Sequence, residues 1–241
     1  MTSHPPESPE PVARPAMLND WLDLTFIHWP YEISAVRALL PAGLEVEPFD
    51  GRAWVGLVPF RMVVSHPRVP PIPWLTQFNE TNVRTYVKGP NGEVGVYFFS
   101  LEAARLGAVL TGRALYGVPY FWAKMSHSTD GQQHSYVSRR RWPDGGPASA
   151  VTVRVGSVIA PQQVTPFDHY LTARWALFGV RRGQLTFARA AHPRWALHNA
   201  DLLECDDDLV AAAGLPGAKS DPVVHWSPGV SVRIGKPTQL A

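Results

Sequence analysis

Glu80, Asn82, Arg84 and Tyr86 recur at every second position, so in a strand they share one side while Thr81, Val83, Thr85 and Val87 share the other. A carboxylic acid, an amide, a guanidinium and a phenol on one face of an otherwise apolar stretch are costly unless water or a partner meets them. Two settings satisfy them. The face can be simply wet, or it can line the inside of a barrel, where Glu80 and Arg84 cannot be left unpaired. In a barrel, Arg84 can grip a carboxylate with its planar fork, and Glu80 can relay a proton or anchor a hydroxyl or amine. A barrel of about eight strands holds one small ligand.

Other chemistry is sparse. The chain has no GxSxG elbow, phosphate loop, dinucleotide fingerprint or HExxH helix. Its nine histidines are scattered. His192 and His198 are the nearest suggestive pair and lack helical spacing, so neither a metal nor a cofactor is expected. Cys205 lies in the acidic run ECDDD, where neighbouring carboxylates blunt a thiol, which points to a structural role. Arg139 to Arg141 and Arg181–Arg182 adjoin turn signals, and the net charge is only +2, so nucleic acid and membrane surfaces are not expected partners. One cysteine cannot form an internal disulfide, which favours a reducing compartment. No apolar run approaches the ~18 residues of a membrane helix, and the first residues lack a secretion pattern. The expected location is the cytoplasm.

The elements around the polar face read as short strands. With 24 prolines and 19 glycines among 241 residues, turns outnumber long helices. Residues 1–16 are proline-rich without apolar period and are expected to be a disordered tail; residues 17–241 are expected to form one domain. Strands are expected at Asp23 to Trp29, Leu44 to Phe49, Ala53 to Met62, Glu80 to Lys88 and Val94 to Leu101, with Asp50–Gly51 and Asn91–Gly92 as turns. Ala53 to Met62 is apolar on both faces and should be buried on both. A short helix follows Ser34 as N-cap. The main helix is expected over Glu102 to Tyr116, capped by Gly117 and stopped by Pro119. From Tyr120 strands resume, at Gln133 to Trp142, Ala150 to Ile159 and Gln184 to Ala190. Thr165–Pro166–Phe167–Asp168 starts a helix, Asp206 to Ala213 another, and Val223 to Ile234 reads as a final strand pair. The class is mainly β (α+β), a barrel with a few short helices.

Three stretches resemble acetoacetate decarboxylases in order and spacing. They are EISAVRALLPAGLE (Glu32 to Glu45), Phe78–Asn79–Glu80–Thr81 at the family's active-site glutamate, and TGRALYGVP (Thr111 to Pro119) at its G-R-E-x-x-G-x-P signature. A fuller resemblance, over residues 19 to 236, is to the uncharacterised bacterial YqjF-like group related to that superfamily. It rests on His28–Trp29–Pro30, WVGLVPF (Trp54 to Phe60), NVRTYV (Asn82 to Val87), LYGVPYFWAKM (Leu115 to Met125) and His192–Pro193–Arg194–Trp195. The resemblance implies an acetoacetate-decarboxylase-like β-barrel and assigns no reaction.

In the decarboxylases two lysines follow G-x-P, and the first forms a Schiff base with a β-keto acid. Here Tyr120 and Phe121 stand there, and a phenol cannot form an imine. Of the lysines Lys88, Lys124, Lys219 and Lys236, only Lys124 shares the strand face of Tyr120 and Trp122, about 13 Å further on at ~3.3 Å per residue. Pro30 falls where decarboxylases often carry arginine. The resemblance leaves Glu80 and Tyr120 as candidate catalytic groups, Tyr120 bonding a carbonyl or oxyanion. Asn82, Arg84, Arg113 and Trp122 remain as candidate ligand-binding residues, with Arg113 alternatively bonding carbonyls near a helix end.

Three functions fit. The first is a protein binding a small polar or carboxylate metabolite without Schiff-base decarboxylation. The second is a lyase, isomerase or hydrolase using Glu80 and Tyr120 without a covalent intermediate. The third is an oligomeric scaffold with a filled barrel. The decarboxylases assemble into oligomers, so a homo-oligomer is compatible with all three.

Overall fold

The computed structural model describes residues 5, 7–65, 76–142 and 146–240. It is mostly β, a closed barrel of nine strands with four short helices among the described residues. The ring runs β4 (Gln77–Lys88), β5 (Val94–Ala103), β6 (Tyr120–Asp130), β7 (Gln133–Arg140), β8 (Ala148–Val158), β11 (His198–Asp207), β12 (Val223–Ile234), β1 (Met17–Tyr31) and β3 (Ala53–Ser65), and closes again on β4. Every pair in it is antiparallel except β5 with β6.

Five of these strands do double duty. β9 (Ala176–Arg181) pairs with β5, β10 (Gln184–Ala191) pairs with β9, and the end of β10 pairs with β12. A second circuit, β1–β3–β4–β5–β9–β10–β12, is thereby closed on the opposite face of the shared strands. β2 (Glu45–Val46) and β13 (Thr238–Gln239) are short edge pieces.

Alternation along β3 decides which residue serves which circuit. Val55 and Leu57 join Ile27, Val83, Tyr136 and Val153 in a core that fills the nine-strand ring. Val58, Phe60 and Met62 face the other way, with Leu24 and Phe26. The expectation that this strand is buried on both sides holds, because each side faces its own core. The polar face of β4 lies on the second side.

The helices are α1 (Ile33–Arg37), α2 (Leu106–Tyr116), α3 (Pro166–Thr172) and α4 (Leu209–Ala212). Thr165 caps α3 with Pro166 behind it and Asp168 completing the capping box, as the sequence predicts. Gly117 adopts φ 69° and ends α2, and Asp50 and Gly51 both have positive φ, as a two-residue turn requires. The expected hairpin, however, is confined to a Phe49–Arg52 bridge, because β2 is only Glu45–Val46 and pairs with β4 in place of β3.

Four expectations need correction. The N-cap of α1 is Glu32, with no side-chain cap, in place of Ser34. The main helix starts at Leu106, because Glu102 pairs with Thr81 on one side and Phe121 on the other and continues β5. Asp206 and Asp207 belong to β11, paired with Ala150 and Ser149, so α4 is shorter than predicted. Val223 to Ile234 is one long strand, not a pair.

At the N-terminus, the first four residues and Pro6 lie outside the described residues. The neighbouring stretch has specific partners that composition does not reveal. Val12 is buried, Arg233 donates to the carbonyls of Val12 and Ala13, and Glu7 and Glu10 pair with Arg194 and Arg189. No helix among the described residues is long and apolar enough to cross a membrane.

Candidate functional site

Between α2, the second strand circuit and the start of β6 lies a cavity of about 380 Å³. β4 sends Glu80, Asn82 and Arg84 into it from alternate positions, and Tyr120, the first residue of β6, faces them. The Tyr120 hydroxyl donates to Glu80 Oε2 at 2.7 Å. Tyr120 reaches this place because α2 presents Gly112 beneath its ring: a Cβ there would sit 2.4 Å from Tyr120 Cδ2. A Gly112→Ala change is therefore expected to destabilise by about 1–3 kcal/mol through overpacking, partly offset by about 1 kcal/mol of helix preference. It also loosens the bond to Glu80, so NMR titration should find the Glu80 carboxyl ionising at still higher pH.

Burial dominates the electrostatics. It pushes the Glu80 carboxyl up to about 8, against the lowering effect of hydrogen bonds from Tyr120 and Asn82. The acid is thus mostly protonated at neutral pH. Tyr120 is held well above its usual range by burial and by Glu80 beside it. His192, also in the lining, is lowered to about 4 by burial, which outweighs its bond to the Pro193 carbonyl, and is neutral.

Arg84 is the unbalanced group. It is 6% exposed, donates from Nη2 to the Leu171 carbonyl at 3.1 Å, and leaves Nε without a partner. No carboxylate among the described residues pairs with it. Tyr86 lies behind it, donating to the same carbonyl at 2.6 Å while its oxygen lies 2.6 Å from His28 Nε2. Since Tyr86 spends its proton on Leu171, His28 must donate from Nε2 and leave Nδ1 bare, an assignment inferred from the network. Burial and nearby Arg84 keep His28 far below its usual pKa, so it is neutral. Gly56 makes room for this ring: a Cβ there would lie 2.7 Å from His28 Nε2. The other cavity arginine, Arg174, is met by Glu47 and lies against the rings of Tyr86 and Tyr170.

Two sequence candidates are not at the cavity. Arg113 is exposed on α2 and donates to the Tyr120 carbonyl at 2.7 Å, which steadies the backbone next to the site. Trp122 points the same way along β6 but lies beyond the cavity, opposite Ala103, with the Arg141 guanidinium 4.5 Å from its ring centre. Sequence reasoning missed Asn19, Trp21 and Arg174 as lining residues. Alternation with apolar neighbours on β1 was the only signal for the first two, and Arg174 follows a helix with none. His192 and Trp195, which open and close the His-Pro-Arg-Trp motif, also line the cavity. Among the described residues no three His, Cys, Asp or Glu side chains gather as a metal site.

The arrangement of strands and the ordered motifs agree with one family. The profile of DUF2071, described as an uncharacterized conserved protein, matches residues 19–231. The chain belongs to the DUF2071 family. The Bacillus subtilis (strain 168) "Uncharacterized protein YqjF" is 35% identical over 212 residues, covering 88% of this chain and 87% of that protein. Among solved structures, the DUF2071 chain is similar to the enduracididine biosynthesis enzyme MppR complexed with pyruvate, at 13% identity and TM-score 0.67, over 97% of this chain and 93% of that one. It is also similar to an acetoacetate decarboxylase-like enzyme from Sphingomonas wittichii RW1, at 15% identity and TM-score 0.66, over 95% and 94%. Acetoacetate decarboxylase of Legionella pneumophila gives 14% and 0.64, over 97% and 92%. At such identities the likeness shows the fold, which is acetoacetate-decarboxylase-like.

Proposed function

We propose that this DUF2071 protein binds a small carboxylate-bearing molecule in the cavity and does not carry out Schiff-base decarboxylation. The observation that carries the reading is Arg84, a buried guanidinium at the cavity wall with no carboxylate of the described residues against it. A buried charge without a counter-ion costs several kcal/mol, and a ligand carboxylate supplies what is missing. Asn82, the protonated Glu80 and Tyr120 are placed to read its other oxygen atoms. Support for the second half comes from the lysines. Lys124, Lys219 and Lys236 are exposed, Lys88 sits at the end of β4, and the lining contains none of them. That a similar fold holds pyruvate in MppR supports a carboxylate ligand. The cavity itself weighs against a filled scaffold.

A thermal-shift screen of monocarboxylates at pH 7 tests the binding. A ligand at about a hundred times its Kd adds about 2.7 kcal/mol to stability, and this gain should vanish in Arg84→Met. Stabilisation undiminished in that variant, or absent with every carboxylate, sinks the reading. Borohydride reduction in the presence of pyruvate or acetoacetate should leave the intact mass unchanged; an adduct on any lysine overturns the second half.

One observation favours a second reading, acid–base catalysis on an oxygenated metabolite. Glu80, held near 8 by burial, sits close to a working pH and accepts a hydrogen bond from Tyr120 at 2.7 Å. Turnover of a bound acid that disappears in Glu80→Gln with affinity retained would establish it.

A further inference from the structure

The lining restricts the ligand beyond its carboxylate, and these restrictions rest on the reading of Arg84 as a carboxylate site. The first restriction is charge. Four groups of the lining could carry one besides the tyrosines: Glu80, Arg84, Arg174 and His192. Arg174 is neutralised by Glu47, burial holds His192 neutral, and Glu80 keeps its proton at neutral pH. One uncompensated positive charge remains, so the cavity balances one anionic group. A second carboxylate would find no second uncompensated charge in the lining.

The second restriction is polarity along the cavity. Glu80, Asn82 and Arg84 sit on one strand face, so the Cα atoms of Glu80 and Arg84 are about 13 Å apart at ~3.3 Å per residue. No ion pair joins the two side chains. Asn82 stands midway with its Oδ1 unbonded, and Trp21 Nε1 and Asn19 Oδ1 are also buried and unbonded in the lining. Tyr120 donates to Glu80 Oε2, and Asn82 also bonds the Glu80 carboxyl, so the protonated acid and the free Asn82 Oδ1 form one uncharged polar cluster. Hydrogen-bonding capacity therefore continues past the anion site, but it is uncharged. Most of the remaining wall is apolar, formed by such residues as Val58, Phe78, Leu101, Val118 and Ile234, with Thr111 and Thr172 among them.

The third restriction is size. At ~30 Å³ for each water-sized unit, the cavity of about 380 Å³ accommodates on the order of a dozen non-hydrogen atoms.

We propose that the cavity takes a monocarboxylic acid of mainly hydrocarbon body that carries one uncharged oxygen function several carbons from its carboxylate. The carboxylate sits on Arg84, the hydrocarbon lies against the aromatic and branched side chains, and the remote oxygen meets Asn82 and the Glu80–Tyr120 pair.

Isothermal titration of the full chain at pH 7 with four eight-carbon probes tests this: octanoate, 8-hydroxyoctanoate, suberate and 1,8-octanediol. Pyruvate and acetoacetate serve as short polar acids. The hydroxy acid is expected to bind best, with octanoate weaker by roughly tenfold for the missing hydrogen bond, and suberate and the diol weaker by roughly a hundredfold. Arg84→Met should remove most of the advantage of the hydroxy acid over the diol, and Asn82→Ala its advantage over octanoate, with far-ultraviolet dichroism confirming that each variant folds. Arg84→Lys, which keeps the charge, should retain part of the affinity if Arg84→Met does not fold. Suberate or the short acids binding as tightly as the hydroxy acid, still dependent on Arg84, overturns this ligand class and leaves the carboxylate reading standing. The diol binding as well as the acids, or no probe binding, overturns both.

Discussion

Replacing Glu80 by glutamine is expected to make the protein more stable than its parent at alkaline pH, by on the order of 4 kcal/mol once pH exceeds about 8. The sign follows from where the proton resides. In the unfolded chain the carboxyl ionises near 4.5, whereas in the barrel burial raises it to about 8. Between those values the folded protein binds a proton that the unfolded chain has released. Stability contributed by this group is complete below about 4.5 and is lost as pH rises through 8. Glutamine keeps a carbonyl oxygen to accept from Tyr120 and has no proton to lose. Urea unfolding of both proteins from pH 5 to 9 gives the difference directly, with the contributions of all other groups cancelling. A difference that does not grow with pH would mean that Glu80 is ionised in the folded protein, and the charge argument for a monoanionic ligand would go with it.

Arg140→Met should cost about 3–5 kcal/mol, which for a chain of this size lowers Tm by roughly 10 °C. Glu102 is wholly buried, and Arg140 meets it with Nε 3.2 and 3.1 Å from its two oxygens and with Nη2 as a second donor. The guanidinium also lies 3.6 Å from the centre of the Phe121 ring. Burial raises the Glu102 pKa in spite of Arg140, so the carboxylate depends on that guanidinium for its charge. Removing the arginine strands a charge that then takes up a proton. The double change Glu102→Gln with Arg140→Met should recover a good part of the loss, because no lone charge is left behind. Calorimetry of the single and double variants checks this; a single variant within about 1 kcal/mol of the parent would show that water reaches Glu102.

Much of the scaffold for these effects can be read locally. The two-residue period of Glu80 to Lys88, the positive-φ turn at Asp50–Gly51 and the capping box at Thr165 are decided by neighbours within a few residues, and the structure contains all three. Glu102 shows the limit. Its local context suits a helix start, yet β4 and β6 claim it from both sides and Arg140 claims its side chain, so long-range pairing overrides the local preference. Arg113 shows the same limit in the site. The G-R pattern marks it, but only the angle of α2 against β6 determines that its guanidinium reaches the Tyr120 carbonyl and stays outside the cavity.

The sequence alone determined that Glu80, Asn82 and Arg84 share a face, that a phenol holds position 120, and that the chain is built of short strands. These are matters of residue type and chain periodicity. Which side of β4 is a filled core and which is a cavity was decided only by tertiary structure. β9 and β10 fold back to close a second circuit on β5 and β12, and a polar face on one strand does not say whether water or a second ring of strands covers it. The lack of a carboxylate for Arg84 is likewise a property of the assembled barrel. An ion pair forms by proximity in space: Glu80, on the same strand, is turned to Tyr120, and Glu47 is taken by Arg174.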